Sequence, residues 1–490
     1  MDTSVLIVGA GPAGLMLAAE LTLAGAHPIV VERLAKRTGE SRGLGFSART
    51  MEVFDQRGLL PRFGELETSV QGHFGGIPLD FSVLPDAHAG VKHRVSQSET
   101  EQVLEAWVHD LDVDLRRGHA LVSLVDDGDM VTAEISGQGA TYSLQAQYVV
   151  GCDGGRSVVR KLAGFDFPGT APTREMFLAD LRDIDIEPRL IGQTVPNGMV
   201  MAARLRDDVH RIIVCEQGTP PQRRTEPPSF AEVAAAWQRL TGQDISTATP
   251  VWTSAFGDPA RQVTEYRRGR VLLAGDAAHV HLPAGGQGMN VSIQDAVNLG
   301  WKLGAVVQGT GSVQLLDSYH HERHPVGQRL LMNAQAQGKL FLGGDEMQPV
   351  RQVFSELVDY DVVARHLVGM VSGLDVRYDV GAGQHPLLGM RLPPRPLVCG
   401  GDKIISTELL HAARGVLLLF DDKPALWDVA SKWTDRIRVV HAELPEVDRE
   451  NPLHEVAAVL VRPDGYVAWV QPGSDDSLAD SLHRWFGSSS

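Results

Sequence analysis

The stretch Val5-Leu6-Ile7-Val8-Gly9-Ala10-Gly11-Pro12-Ala13-Gly14 decides how the rest of the chain is read. Ser4 to Val8 is a short strand-like run, Pro12 to Ala24 carries apolar residues at helical spacing, and Pro28 to Val31 is a second apolar run ending in Glu32. Each glycine between strand and helix has a physical use. Gly9 lets the chain turn sharply, Gly11 lets backbone approach a pyrophosphate, and Gly14 lets the helix pack on the strand. The helix N-terminus, with Pro12 and Ala13 in its first turn, then points amide hydrogens at the phosphates. Glu32, eighteen residues past Gly14, suits a bidentate hold on adenosine ribose hydroxyls, with Arg33 beside it. The pattern predicts a dinucleotide site and does not by itself separate FAD from NAD.

Two distant segments make that separation. Arg270 to Leu273 reads as a buried strand running into Gly275-Asp276, which puts a carboxylate where it would accept hydrogen bonds from the ribitol hydroxyls of a flavin. The loop Pro283-Ala284-Gly285-Gly286-Gln287-Gly288 follows, and helical sequence runs from Asn290 to Val307. Amides near Gly288 open that helix, so its positive dipole end would stabilise negative charge on a reduced flavin ring. Earlier in the chain, Tyr148-Val149-Val150 leads into Gly151-Cys152-Asp153-Gly154, a return to the first sheet.

Taken together, Gly9 to Gly14, Cys152-Asp153-Gly154-Gly155-Arg156-Ser157 with Val159-Arg160, and Gly275-Asp276-Ala277-Ala278-His279 with Pro283 to Asn290 resemble the single-component (class A) flavoprotein aromatic hydroxylases. That group includes para-hydroxybenzoate and phenol hydroxylases, and the likeness covers most of residues 1–390. It implies a Rossmann-like FAD-binding domain over 1–175 and 260–390, and an antiparallel substrate-binding sheet from 70–100 and 176–259. Asp153 and Gly154 would serve the FAD pyrophosphate and incoming NADPH or NADH, while Gly275 and Asp276 would hold the ribitol. Pro283, Gly285, Gly286, Gly288, Met289 and Asn290 would border the isoalloxazine, and Arg42 and Gln97 would touch FAD.

Residues 391–490 resemble the thioredoxin-like tail of the phenol-hydroxylase branch, and they lack Cys-x-x-Cys, so a structural role is expected. The hairpin Val461 to Val467 recurs there, and the pattern Arg42 to Gly58 looks most like hydroxylases that tailor aromatic polyketides of the tetracycline and angucycline types. The implied reaction is hydroxylation of a phenolic polycycle: reduced flavin captures molecular oxygen, and the hydroperoxide passes its terminal OH to the electron-rich ring. With only one glycine fingerprint, the nicotinamide donor is expected to visit transiently. Baeyer–Villiger insertion into a ketone, or a flavin-binding protein without turnover, are the alternatives. No Tyr, Arg or Asp in 170–260 identifies itself as a catalytic base.

Bulk properties narrow the partners. The 490 residues carry a formal net charge of -16, which disfavours nucleic acid and anionic membranes and leaves small molecules. Cys152, Cys215 and Cys399 are too few for a disulfide framework, so a reducing, cytoplasmic setting is expected, with no membrane span and a homodimer left open. No metal site is expected: His279 and His281 read as hydrogen-bonded structural residues, and His320, His321 and His324 as a solvated helix face. Met199, Met201, Trp252 and Phe256 read as core or pocket lining.

Overall fold

The structure is a computed structural model. It describes residues 1–41, 43–66, 68–84, 93–205, 208–222, 224–445 and 451–489.

A parallel core sheet organises the chain. Its strands run in the order 267–268, 271–273, 140–151, 3–8, 29–32 and 114–117, with the hairpin 119–126 and 131–137 extending the long strand 140–151. Strand Thr3–Val8 pairs in parallel with Ala140–Gly151 on one side and Ile29–Glu32 on the other, and Val271–Leu273 adds in parallel beyond Gly151. Val5, Leu6, Ile7, Val149, Val150 and Leu272 are fully buried, as a parallel sheet covered on both faces requires. Helices Pro12–Leu23 and Gly288–Val307 lie against each other over this sheet. Small residues permit the approach: a methyl on Gly300 would stand 2.3 Å from Glu20 Cβ, and one on Gly304 would stand 2.4 Å from Ala24 Cβ.

A five-stranded sheet, all antiparallel, has the order 189–195, 198–204, 210–216, 175–182 and 249–257. One face is apolar throughout (Ala179, Leu181, Val200, Ala202, Ile212 and Val214) and is covered by helix Phe230–Thr241 through Val233 and Trp237. Ser229 and Glu232 form a capping box at that helix's start and Gly242 ends it in the left-handed conformation. The C-terminal unit has a four-stranded sheet in the order 437–441, 415–419, 458–461 and 467–471, with one parallel and two antiparallel pairings. Its three neighbours in sequence, helices Asp317–Leu342, Gln348–Val358 and Asp361–Ser372, precede it.

Periodicity joins 349–373 into one helical stretch, whereas the structure breaks it at Asp359 and Tyr360. Tyr360 is extended and caps the second helix. The solvated reading of His320 and His324 is corrected too. Both are half-buried, 4.9 Å apart between ring centroids, and pack on the buried ring of Tyr266, leaving only His321 exposed. Among the described residues no group of His, Cys, Asp and Glu could hold a metal, all three cysteines are free thiols, and no helix is long and apolar enough to cross a membrane.

Candidate active site

The three motif segments converge at the carboxyl ends of the parallel strands, where open α/β sheets bind ligands. Gly9 follows the first strand with φ +108°, and its amide donates to Val31 O at 2.8 Å. A methyl there would sit 2.5 Å from Cys152 O, so the first turn rests directly on the Cys152-Asp153 backbone. At Gly14 a methyl would reach 1.9 Å from Gly9 O, which only hydrogen allows. Gly11, by contrast, faces open space with nothing within 4 Å, at the N-cap of helix Pro12–Leu23. That opening at a helix N-terminus, with no side-chain cap, is a cradle for a phosphate.

Glu32 has local duties in the structure. Its Oε2 accepts from Ala10 N at 2.9 Å and its Oε1 from Leu34 N at 2.8 Å, which fixes the carboxylate beside the glycine turn with a lone pair free on each oxygen. Arg33 next to it is exposed. Asp153 Oδ2 caps helix Val158–Leu162, accepting from Val158 N and Val159 N at 2.6 and 3.1 Å, while its buried Oδ1 has no hydrogen-bond partner among the described residues. Gly154 beside it has φ +77° and open space where a side chain would stand.

The second half of the site is the turn Gly275–Ala277. Gly275 has φ +63°, and a methyl on it would meet Ser292 Oγ at 2.8 Å and Ala13 Cβ at 3.2 Å, so the turn sits on the head of the first helix. Asp276 is exposed at that junction and its Oδ1 lies 3.5 Å from Ser292 Oγ. Beneath the turn Asp295 does the holding: Oδ2 accepts from Gly275 N at 3.1 Å and lies 2.9 Å from His279 Nε2, and Oδ1 accepts from Arg323 Nε at 2.6 Å. Burial alone would raise the Asp295 carboxyl, but Arg323 and His279 hold it below the usual carboxylate range.

Loop 283–288 turns through left-handed Gly285 and Gly286, with φ +69° and +68°, before helix Gly288–Val307 begins. Gly286 faces open space. Asn290 stitches the loop to the N-terminal half: Oδ1 accepts from Ser47 N at 2.8 Å, and Nδ2 donates to Gly286 O at 2.8 Å and Gly45 O at 3.3 Å. Gln287 Nε2 donates to Met370 O and Val371 O, and its Oε1 accepts from Asn333 Nδ2 at 2.9 Å. His281 Nδ1 donates to Leu282 O at 2.6 Å, and a methyl on Gly288 would lie 3.2 Å from its Nε2. Burial, then repulsion from His279, lowers the His281 pKa, so the ring is neutral at pH 7. A methyl on Gly43 would stand 3.6 Å from Met289 Cε and 3.9 Å from Gln97 Cβ, which brings those two residues to one place. Gln97 donates its amide to Ser41 Oγ and its Nε2 to Glu101 Oε1, both at 2.8 Å. Arg42 lies outside the described residues.

Facing the loop is the open face of the five-stranded sheet. Met176, Met199 and Cys215, with the half-buried Met201, Ile213 and Phe256, form one apolar cluster with Leu282 and Ala284 of the loop and with Phe341 and Leu342 at the end of the long helix. Burial pushes the Cys215 thiol up to about 11, so it stands there as a neutral thiol. The cluster is apolar and, through its three methionines and Cys215, polarisable.

Buried charges carry the site's support, and the motif reading had passed over them. Arg462 of the C-terminal hairpin is fully buried and grips Glu322 through Nη1 at 2.6 Å and Nη2 at 2.8 Å. Lys302 Nζ and Asn298 Nδ2 also donate to Glu322 Oε2, at 2.8 and 2.7 Å. The adjacent residue is Arg323, the partner of Asp295. A signal was available in the sequence, since Asp295, Asn298 and Lys302 recur at helical spacing within otherwise apolar sequence. Further along the same interface Arg57 pairs with buried Glu20 and donates to Pro463 O and Leu410 O.

The turn at Gly11, the unpartnered oxygen of Asp153 and the openings at Gly154 and Gly286 are what an extended dinucleotide with a planar ring system would fill. The fold and site therefore define a flavin-dependent oxidoreductase class. Comparison with known families agrees: residues 2–334 match the FAD binding domain family and residues 385–489 the aromatic-ring hydroxylase C-terminal family. The 12-dehydrotetracycline 5-monooxygenase/anhydrotetracycline 6-monooxygenase of Streptomyces rimosus is 43% identical, with 99% of each chain covered. Among solved structures, CabE, an aromatic hydroxylase from angucycline biosynthesis, is 64% identical with a TM-score of 0.98 and 100% coverage of both chains. BexE, studied for oxidation during BE-7585A biosynthesis, is 61% identical with a TM-score of 0.95 and the same coverage. The chain belongs to the FAD-dependent aromatic-ring hydroxylase family and is a flavoprotein monooxygenase.

Proposed function

We propose that this enzyme hydroxylates a phenolic polycyclic substrate of the aromatic polyketide, angucycline-like type, with NADPH or NADH as electron donor. The reaction consumes substrate, molecular oxygen, NAD(P)H and a proton, and yields hydroxylated substrate, water and NAD(P)⁺. The observation that carries the reading is the meeting of loop 283–288 with the Met176, Met199 and Phe256 cluster, which joins a flavin-ring site to a lining for a flat apolar molecule. FAD, when bound, accepts a hydride from the nicotinamide and activates oxygen for transfer.

The chain's own residues bind, orient and exclude water. Gly11 and the head of helix Pro12–Leu23 would hold the pyrophosphate, with Asp153 and Gly154 beside it; Glu32 and Arg33 would hold the adenosine ribose. Asp276 would take the ribitol hydroxyls, and Arg42, Gln97 and Met289 would border the cofactor. Pro283, Gly285, Gly286, Gly288 and Asn290 would frame the ring, with the amides at the start of helix Gly288–Val307 favouring negative charge on its reduced form. The apolar cluster would keep water from the reacting oxygen.

Anaerobic mixing of the holoenzyme with NADPH and a polycyclic phenol, then with oxygen, tests this. Reduction accelerated by the phenol and a product one oxygen atom heavier are expected. Equal reduction rates with and without every aromatic tried would remove hydroxylation as the function, and ring expansion of a ketone would favour Baeyer–Villiger insertion instead.

A further inference from the structure

The sheet face that meets the flavin loop changes character along its length. At the loop end, Met176 pairs with Phe256 and Met199 with Cys215. Ile213 pairs with Leu178 and Met201 in the middle, and at the far end Asp180 pairs with both Arg211 and Trp252. Alternate residues of a strand share a face, so these polar groups continue the surface that carries the methionines. Arg211 donates from Nε and Nη2 to Asp180 Oδ1 and Oδ2, both at 2.7 Å, and Trp252 Nε1 donates to Oδ2 at 2.6 Å. Both oxygens of the Asp180 carboxylate therefore already accept a hydrogen bond.

The guanidinium is not fully engaged. The Arg211 side chain is only 3% exposed, yet its Nη1 has no hydrogen-bond partner among the described residues. Pairing through Nε and Nη2 turns Nη1 away from the carboxylate, so its two N–H bonds point elsewhere, with the Trp252 ring centroid 5.8 Å from Arg211 Cζ. Buried polar groups are almost always satisfied, and an orphan of this kind calls for an acceptor.

We infer that Arg211 Nη1 is the recognition point for a carbonyl oxygen on the substrate ring farthest from the flavin. The inference rests on the reading of the chain as a hydroxylase of polycyclic aromatics. Two features select that ligand chemistry. Asp180 cancels the charge of Arg211, so the pair offers directed donors and would repel a carboxylate as much as attract it. The run from Cys215 back to Arg211 is four strand residues, about 13 Å at roughly 3.3 Å per residue, which matches the long axis of a four-ring fused system.

The test uses holoenzyme titrated by perturbation of the flavin absorbance with two probes: a phenolic benz[a]anthracene whose saturated terminal ring carries a ketone, and its methylene analogue. The wild-type protein should bind the ketone at least about tenfold tighter, the kind of preference expected of a site built to hydrogen-bond a substrate group. Arg211→Lys, and the paired change Arg211→Gln with Asp180→Asn that leaves no lone buried charge, should bring the ratio to about one by weakening the ketone alone. Equal affinities in the wild type, or a preference unchanged in variants that keep full FAD occupancy, would overturn the inference. Tighter ketone binding without hydroxylation would support the subsite while removing the proposed reaction. Hydroxylation of both probes with equal affinity would do the reverse.

Discussion

The two halves of the dinucleotide site are built in different ways. The half at Gly9 to Gly14 is local: one strand, one helix and a second strand within the first thirty-two residues supply it, and its contacts are mostly backbone. Gly275 to Asn290 is held by side chains from across the chain, with Asp295 under the turn, Arg323 on Asp295, and Glu322 next to Arg323 gripped by Arg462 of the C-terminal unit. A phosphate needs only amides and a helix end, which a glycine-rich turn presents by itself. Fixing an exposed carboxylate and a ring-binding loop needs a scaffold, and here the scaffold is a chain of buried ion pairs. The C-terminal unit thus supports the turn at Gly275 through Arg462.

Substitutions separate the halves. The largest effect is expected from Gly14→Val, whose side chain collides with Gly9 O: destabilisation of about 3 kcal/mol or more, and no FAD retained, measured by thermal unfolding and flavin absorbance. Arg323→Met leaves Asp295 and His279 without their cation and should cost about 3–5 kcal/mol. Partial refilling by excess FAD is expected for this variant, because the local half survives; loss of all FAD affinity would show that the halves are not separable.

Acid should act on the tertiary half first. Arg462 and Lys302 pull the buried Glu322 carboxyl down from 4.5 to about 2. The unfolded chain therefore holds a proton on this group that the folded chain does not between about pH 4.5 and 2. Its contribution is present above that window and lost as the pH falls through it. The wild-type melting temperature should drop across this range more steeply than that of Glu322→Gln, and parallel curves would remove Glu322 from the account. The smallest change in stability is expected from Asp276→Ala. The side chain is exposed, so unfolding should shift by less than about 0.5 kcal/mol while FAD retention falls sharply. Normal flavin occupancy in this variant would mean that the ribitol lies elsewhere.

The five-stranded sheet is legible as strands in the sequence because Gly198 to Leu205, His210 to Glu216 and Val251 to Phe256 alternate or cluster apolar residues. Helix Phe230–Thr241 went unread between them, despite the capping pair Ser229 and Glu232, because the Pro- and Arg-rich loop before it masked its start. Asp180, Arg211 and Trp252 are 31 and 41 residues apart in sequence and meet only through strand pairing.

The sequence by itself determined the dinucleotide turn, the flavin-type partner motifs and the aromatic-ring hydroxylase family, since glycine at a forced turn and acids at strand ends are local necessities. Only the tertiary structure decided which buried charges hold the second half in place, that Glu32 braces the turn through Ala10 N, and that Arg211 keeps an unpaired nitrogen. Such facts depend on partners brought together by burial, where a charge is stable only beside its counterpart, and no spacing along the chain records who that counterpart is.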